Sequence, residues 1–116
     1  MSVTVEPYKT AVIVHLDETL DFSNAGAFKA VCFDQIRLGT RHFVIDFSNT
    51  GILDSTGLGA IFSLHRHVKP RKGEVMFASV SPSVEIVLEV TGIYRVFQRY
   101  PSVEAAREAP SVRRNA

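Results

Sequence analysis

The chain alternates short apolar stretches with segments of helical spacing, and this pattern predicts an α/β fold. The first two stretches, residues 2–8 and 10–16, alternate apolar and polar positions, which is typical of half-buried strands. They are predicted to pair as a hairpin through Pro7 to Lys9. Two others are apolar at consecutive positions, as expected of strands covered on both faces. The predicted strands cover residues 2–8, 10–16, 42–47, 74–80 and 94–100.

Four further segments carry apolar residues three and four positions apart and are bounded by helix start and stop signals. The predicted N-caps are Ser23, Asp54, Ser81 and Ser102, and the predicted stops include Gly39 and Gly92. The order β-β-α-β-α-β-α-β-α predicts a mixed four- to five-stranded sheet packed with about four helices. This single domain is expected to span residues 1–109, and residues 110–116 are expected to be a disordered tail.

Size and charge narrow the function classes. The chain has 116 residues, of which 46% are hydrophobic, and this suits one compact domain. Its net charge of +1 argues against a nucleic-acid binder, which would normally show a basic face. The single Cys32 excludes an internal disulfide, and the first residues carry Glu6 and Lys9 where a signal peptide would be apolar. With no apolar run near the roughly 20 residues needed to span a membrane, a soluble cytoplasmic protein is expected.

The stretch ILDSTGLGAIF, residues 52–62, is an unusual helix start. Asp54 is a good N-cap, which leaves Ser55 at the first helical position and Thr56 at the second. Both hydroxyls then lie beside unpaired backbone N–H groups and the positive end of the helix dipole. A phosphate is well tolerated at such a place.

Gly57 and Gly59 follow at once, although glycine costs about 1 kcal/mol relative to alanine inside a helix. One interpretation is that they strip side chains from the surface around the hydroxyl, so that another protein's backbone can approach closely. The other is that the hydroxyls merely cap the helix and the glycines merely pack. The residues alone leave the two interpretations even.

Three kinds of site that the same residues suggest do not fit. A dinucleotide-binding fingerprint would need a third glycine where Phe62 stands. An aspartic-protease motif has one residue fewer between its aspartate and glycine than separates Asp54 from Gly57. A receiver domain could use Asp46, but it also needs a lysine after its last strand, and no lysine follows Lys72.

The histidines and the cysteine give no support for metal binding or catalysis. His65 and His67 are two apart on a helix and therefore point to different faces. His15 and His42 lie on strands, and Cys32 lies on the inward stripe of its helix. No metal, no cofactor and no enzymatic activity are expected.

Two long segments resemble a known family. FVIDFSNTGILDSTGLGAIFSLHRHV, residues 43–68, and GEVMFASVSPSVEIVLEVTGIYRVF, residues 73–97, resemble the STAS domain of bacterial anti-sigma factor antagonists. The resemblance covers about residues 3–107. Its centre is DSTGLG after a buried strand, and the SPSVEIVLEVTGI helix supports it independently.

The resemblance implies a protein that binds partners and is not an enzyme. In that family the domain binds a serine-kinase anti-sigma factor and frees the sigma factor. The kinase uses ATP to phosphorylate the serine after the aspartate, and a PP2C-type phosphatase reverses this. The phosphoacceptor here would be Ser55. The implied partner-binding residues are Asp21, Asp54, Thr56, Gly57 and Gly59.

One departure and two alternatives accompany this resemblance. Glu18 replaces the family's usual glycine in its loop, which puts the detail of partner contact in doubt and not the fold. STAS modules also serve as scaffolds or as accessories in small-molecule and lipid transport, but such versions often lack the acceptor serine, so Ser55 favours a switch. The switch could also regulate a different signalling enzyme.

Overall fold

The computed structural model describes residues 3–113 and contains one mixed sheet with helices on both faces. The strands are β1 (Thr4–Tyr8), β2 (Ala11–His15), β3 (Thr19–Leu20), β4 (His42–Asp46), β5 (Ile52–Leu53), β6 (Glu74–Ala78) and β7 (Gln98–Tyr100). The helices are α1 (Ala25–Arg37), α2 (Ser55–Val68), α3 (Pro82–Thr91), α4 (Val103–Arg107) and α5 (Pro110–Arg113), with 3-10 turns at Lys69–Arg71 and Ile93–Arg95.

The main sheet has five strands in the order β1-β2-β4-β6-β7. β1 and β2 form the predicted antiparallel hairpin, and β2, β4, β6 and β7 run parallel. Each crossover therefore steps in the same direction across the sheet. Because such crossovers are right-handed, α1, α2 and α3 are expected on one face. The α/β fold with a mixed sheet is thus confirmed.

The helices divide the interior into two apolar clusters that explain the strand sequences. Alternate residues of the central strands face α1, α2 and α3, among them Phe43 and Phe77. The residues between them, including Val44 and Met76, pack with α4 and α5. A strand buried on both faces has a continuous apolar sequence. This is why strands covered on both faces were correctly predicted in residues 42–47 and 74–80.

The structure differs from the sequence predictions at the ends of elements. The hairpin turns at Lys9 and Thr10, with Lys9 at a φ of 53°, while Pro7 lies inside the edge strand, where a missing N–H is tolerated. Ser23 is not the N-cap of α1: Asn24 occupies that position and makes no side-chain capping bond. Residues 110–113, expected to be disordered, form α5, in which Val112 is fully buried. Residues 114–116 lie outside the described residues.

His15 links three strands and α4 through a row of charged groups. Its Nδ1 lies 2.7 Å from Asp46 Oδ2, and its Nε2 lies 2.9 Å from Glu6 Oε1. The other oxygen of Glu6 accepts a hydrogen bond from Arg107 of α4 at 2.5 Å. Because a carboxylate oxygen accepts hydrogen bonds and does not donate them, both contacts are hydrogen bonds only when both ring nitrogens carry a proton. The arrangement therefore fits a positively charged imidazolium between two carboxylates.

The pKa of His15 follows from these contacts. Burial lowers it, but the hydrogen bonds to Glu6 and Asp46 and the charges of the two carboxylates outweigh that effect. The net result is a pKa raised above the ordinary 6.5.

We predict a pH-dependent loss of stability in His15→Gln. Since the pKa is higher in the folded state, the contribution of His15 is complete below the unfolded value of 6.5 and disappears as pH rises through the folded pKa. The difference in free energy of unfolding between wild type and variant should be larger at about pH 5.5 than at about pH 9. Urea denaturation at both pH values measures it. A difference that stays constant, or grows with pH, would contradict the charged ring.

Candidate functional site

A short ribbon builds the corner where α2 begins. β3 and β5 pair in parallel, with Thr19 opposite Ile52 and Leu20 opposite Leu53. The next residue, Asp54, donates its backbone N–H to the Leu20 carbonyl at 3.3 Å. The loop after β3 is therefore held beside the start of α2. Neither two-residue strand of this ribbon was among the strands predicted from the sequence.

The loops that lead into the ribbon are joined as well. The buried Thr50 donates its hydroxyl to the Asp17 carbonyl at 2.6 Å, and Gly51 N–H donates to the Glu18 carbonyl at 2.9 Å. Ser81, the confirmed N-cap of α3, donates its hydroxyl to the Thr50 carbonyl at 2.9 Å. Glu18 is exposed and its φ is not in the left-handed region, so its backbone does not require glycine.

Asp54 is the N-cap of α2, as the sequence predicted, and it makes a second contact as well. Its Oδ1 accepts a hydrogen bond from Gly57 N–H at 2.8 Å. Its Oδ2 accepts one from Phe22 N–H at 3.2 Å. The carboxylate thus connects the first turn of α2 to the loop after β3, and both of its oxygens are engaged within the chain.

Ser55 and Thr56 occupy the first two positions of α2, and both are exposed. Backbone N–H groups at these positions have no partner within a helix, and the helix dipole is positive there. The structure therefore places two hydroxyls in a setting that favours a negative group, with Ser55 directly beside the Asp54 cap.

Asp21 follows β3 as Asp54 follows β5, so the ribbon brings the two aspartates to the same corner. The Asp21 carboxylate accepts hydrogen bonds from the Ser23 hydroxyl at 2.5 Å and from the Ser23 N–H at 2.9 Å. These bonds, the hydroxyl first, lower the pKa of Asp21 below its ordinary value. Asp21 thus favours a negative charge at the same corner, and the hydrogen bonds that lower its pKa come from Ser23 and Thr19, close to it in the chain.

Asn24 holds this loop in place, and the sequence analysis did not assign it a role. Its side chain is buried, with Oδ1 accepting the Asp21 N–H at 2.9 Å and Nδ2 donating to the Thr19 carbonyl at 2.7 Å. Asparagine at a helix start is usually assigned as a cap. Here the Asn24 side chain forms hydrogen bonds with residues that precede the helix. The sequence alone does not distinguish this role from capping.

The two glycines of α2 have different surroundings. Gly57 is buried, and a Cβ there would lie 2.3 Å from the Leu20 carbonyl oxygen. Gly57 therefore packs against β3, and its role as a partner-binding residue stays a prediction. Gly59 is exposed, and a Cβ there would meet nothing within 4 Å. It lies one helical turn after Ser55 and leaves that surface bare.

Other chemistry has little support within residues 3–113. No group of three His, Cys, Asp or Glu side chains in this range could hold a metal ion. Burial raises the pKa of the Cys32 thiol to about 12, which makes it a poor nucleophile. In the same part of the chain, every helix is too short or too polar to cross a membrane.

The chain belongs to the STAS domain family, whose model matches residues 2–106. It is 25% identical over 101 residues to an anti-sigma F factor antagonist of Paenibacillus polymyxa, with 86% of each chain covered.

Solved structures show the same fold. A Thermotoga maritima protein superposes with a TM-score of 0.86 at 26% identity, covering 97% of this chain and 95% of that chain. The anti-sigma factor antagonist SpoIIAA, in its unphosphorylated form, has a TM-score of 0.79 at 19% identity, covering 91% of this chain and 94% of that chain.

The glycines provide a matched test of the corner. Gly57→Ala places a methyl group against the Leu20 carbonyl, and overpacking of this kind costs about 1–3 kcal/mol. Gly59→Ala enters open space and should gain up to about 1 kcal/mol of helix propensity. Urea denaturation of both variants should therefore give shifts of opposite sign. Similar shifts for both would show that Gly57 has room for a side chain.

Proposed function

We propose that this protein is an anti-sigma factor antagonist in a partner-switching pathway, and that it binds a serine-kinase anti-sigma factor. Phosphorylation of Ser55 ends the binding, and a PP2C-type phosphatase restores it. The observation that carries the proposal is the exposed Ser55 at the first position of α2, beside the capping Asp54. A relative named as an anti-sigma F factor antagonist supports it, as does SpoIIAA, whose structure is also known in a phosphorylated form.

The corner accepts a charge without strain. A negative group in the first helical turn is usually favourable by about 0.3–1 kcal/mol. Repulsion from Asp54 offsets this in part, although the Asp54 carboxylate is already stabilised by two N–H donors. A phosphate of about −1.5 to −2 charges on Ser55 should therefore leave the fold nearly unchanged.

The effect of the phosphate appears in binding instead. At an interface the doubly charged group must be desolvated or must face acidic groups, such as the phosphates of a nucleotide in the kinase, and either costs several kcal/mol. The bare surface at Gly59 lets the kinase backbone approach the hydroxyl closely. Thr56 and the aspartates Asp21 and Asp54 border the same contact. In this proposal the chain is a substrate of two cytoplasmic enzymes and catalyses no reaction.

A scaffold that does not switch, for another signalling enzyme or a transport complex, is the competing function. A pull-down that compares wild type with Ser55→Asp, read by mass spectrometry, separates the two. Capture of an anti-sigma kinase by wild type and its loss from the variant support the proposal. Identical captured proteins would favour the scaffold.

The acceptor should be a single residue. With the anti-sigma kinase and ATP, phosphopeptide mapping should place the phosphate on Ser55, because its hydroxyl is the one beside the cap. Ser55→Ala should abolish labelling, while Thr56→Ala, a change at the adjacent exposed hydroxyl, should keep it. Label found mainly on Thr56, Ser48 or Ser63 would overturn the assignment.

Phosphorylation should change affinity and not stability. Several kcal/mol correspond to a loss of roughly a hundredfold or more in affinity for the kinase, since each 1.4 kcal/mol is tenfold. Ser55→Asp should reproduce part of this loss because it carries less charge, while Ser55→Ala keeps the complex assembled. Calorimetric titration measures the affinities, and urea denaturation should show only small changes. Equal affinities for the phosphorylated and unphosphorylated forms would leave a scaffold.

A further inference from the structure

Two apolar side chains at the corner are exposed to solvent. Phe22 is 79% exposed and Ile52 is 57% exposed. The Phe22 N–H is bonded to Asp54, the neighbour of Ser55, and Ile52 precedes Ser55 by three residues on β5. Each side chain thus projects from a segment joined directly to the start of α2.

Several hydrogen bonds hold the loop that carries Phe22. Its backbone is held at Phe22 itself by Asp54, at Asp21 by the buried Asn24, and at Ser23 by the Asp21 carboxylate. The Asp21 carbonyl also accepts the N–H groups of the N-cap Asn24 and of Ala25, the first residue of α1. An aromatic ring presented by such a loop loses little conformational freedom when a partner covers it, which favours tight contact.

A single exposed apolar residue is ordinary on a protein surface. This corner combines an exposed aromatic, an exposed isoleucine and the bare surface at Gly59, all on α2 or on segments joined to its start. Aromatic side chains are enriched at the centre of protein interfaces, where a few anchors supply most of the affinity. Leu38 is exposed to the same extent, 78%, but it lies at the opposite end of α1.

The charges around the corner indicate what the partner surface must carry. The two loops, residues 16–24 and 47–56, contain the carboxylates of Asp17, Glu18, Asp21 and Asp54 and no lysine or arginine. A partner that covers them should present basic groups at the edge of the contact, because like charges across an interface are unfavourable.

We propose that Phe22, supported by Ile52, is the apolar anchor of the complex with the anti-sigma kinase, and that it fills an apolar pocket bordered by lysine or arginine beside the kinase's phosphate-transfer site. This inference rests on the proposed function and names the residues that determine its affinity. Phe22 is 79% exposed and so buries little surface in the folded domain, and its substitution should affect binding more than stability.

The test compares Phe22→Ser with Leu38→Ser, which removes an equally exposed apolar side chain far from Ser55. The probe is the purified anti-sigma kinase, from the same genome, that phosphorylates wild type on Ser55 with ATP. Loss of a buried phenylalanine should weaken binding by roughly tenfold to a hundredfold in calorimetric titration. Leu38→Ser should bind as wild type does. Phe22→Leu should retain most of the affinity, and Ile52→Ser should lose less than Phe22→Ser.

Circular dichroism and thermal melting of each variant separate binding from folding. If Phe22→Ser melts early, Phe22→Lys provides a second measurement, and it should bind even more weakly because its charge meets the basic border. Equal affinities of wild type and the Phe22 variants would overturn the anchor while leaving the switch intact. An equal loss in Leu38→Ser would also overturn it. If no anti-sigma kinase binds wild type or phosphorylates it, the proposed function is wrong and the anchor falls with it.

Discussion

The carboxylate of Asp54 is the contact on which the geometry of the candidate site depends. One oxygen accepts the Gly57 N–H and the other accepts the Phe22 N–H, so one side chain both starts α2 and fixes the neighbouring loop. Loss of an N-cap alone typically costs about 1 kcal/mol, and here the loop would lose its attachment as well. The pairing of β3 with β5 makes this possible because it puts the two segments side by side. Asp54 therefore acts as a positioning residue, and each of its carboxylate oxygens accepts a hydrogen bond from the chain.

The large elements could be predicted because their signals are local. α3 lies between a capping Ser81 and Gly92 in the left-handed region, and β4 and β6 have the continuous apolar sequences of doubly covered strands. The ribbon could not be predicted, since two residues in each strand are too few to show a period. Its partners lie more than thirty residues apart and meet only once the sheet order is known. The burial of Val112 likewise depends on a sheet face built by distant strands.

Some features of the candidate site could likewise be predicted from local sequence, and others could not. The Asp54 cap and the position of Ser55 follow from a rule about the first turn of a helix, and the sequence predicted both correctly. The separate roles of Gly57 and Gly59 follow from the contact with Leu20, which belongs to another segment. The exposure of Phe22 could not be predicted either. An aromatic residue is expected in the core, and only the structure shows that the core is packed without Phe22.

In the proposed switch, these constraints are what would let a charge at Ser55 act as a signal. The carboxyl ends of the parallel strands and the start of α2 meet at this edge of the sheet, and side-chain and backbone hydrogen bonds hold the loops between them. Ser55 at this edge is exposed and occupies the first position of α2, where backbone N–H groups have no partner within a helix. A group added there meets no packed neighbour that must move, so its free-energy cost in the folded domain is small. The charge would then act mainly on the free energy of binding to a partner surface that covers it.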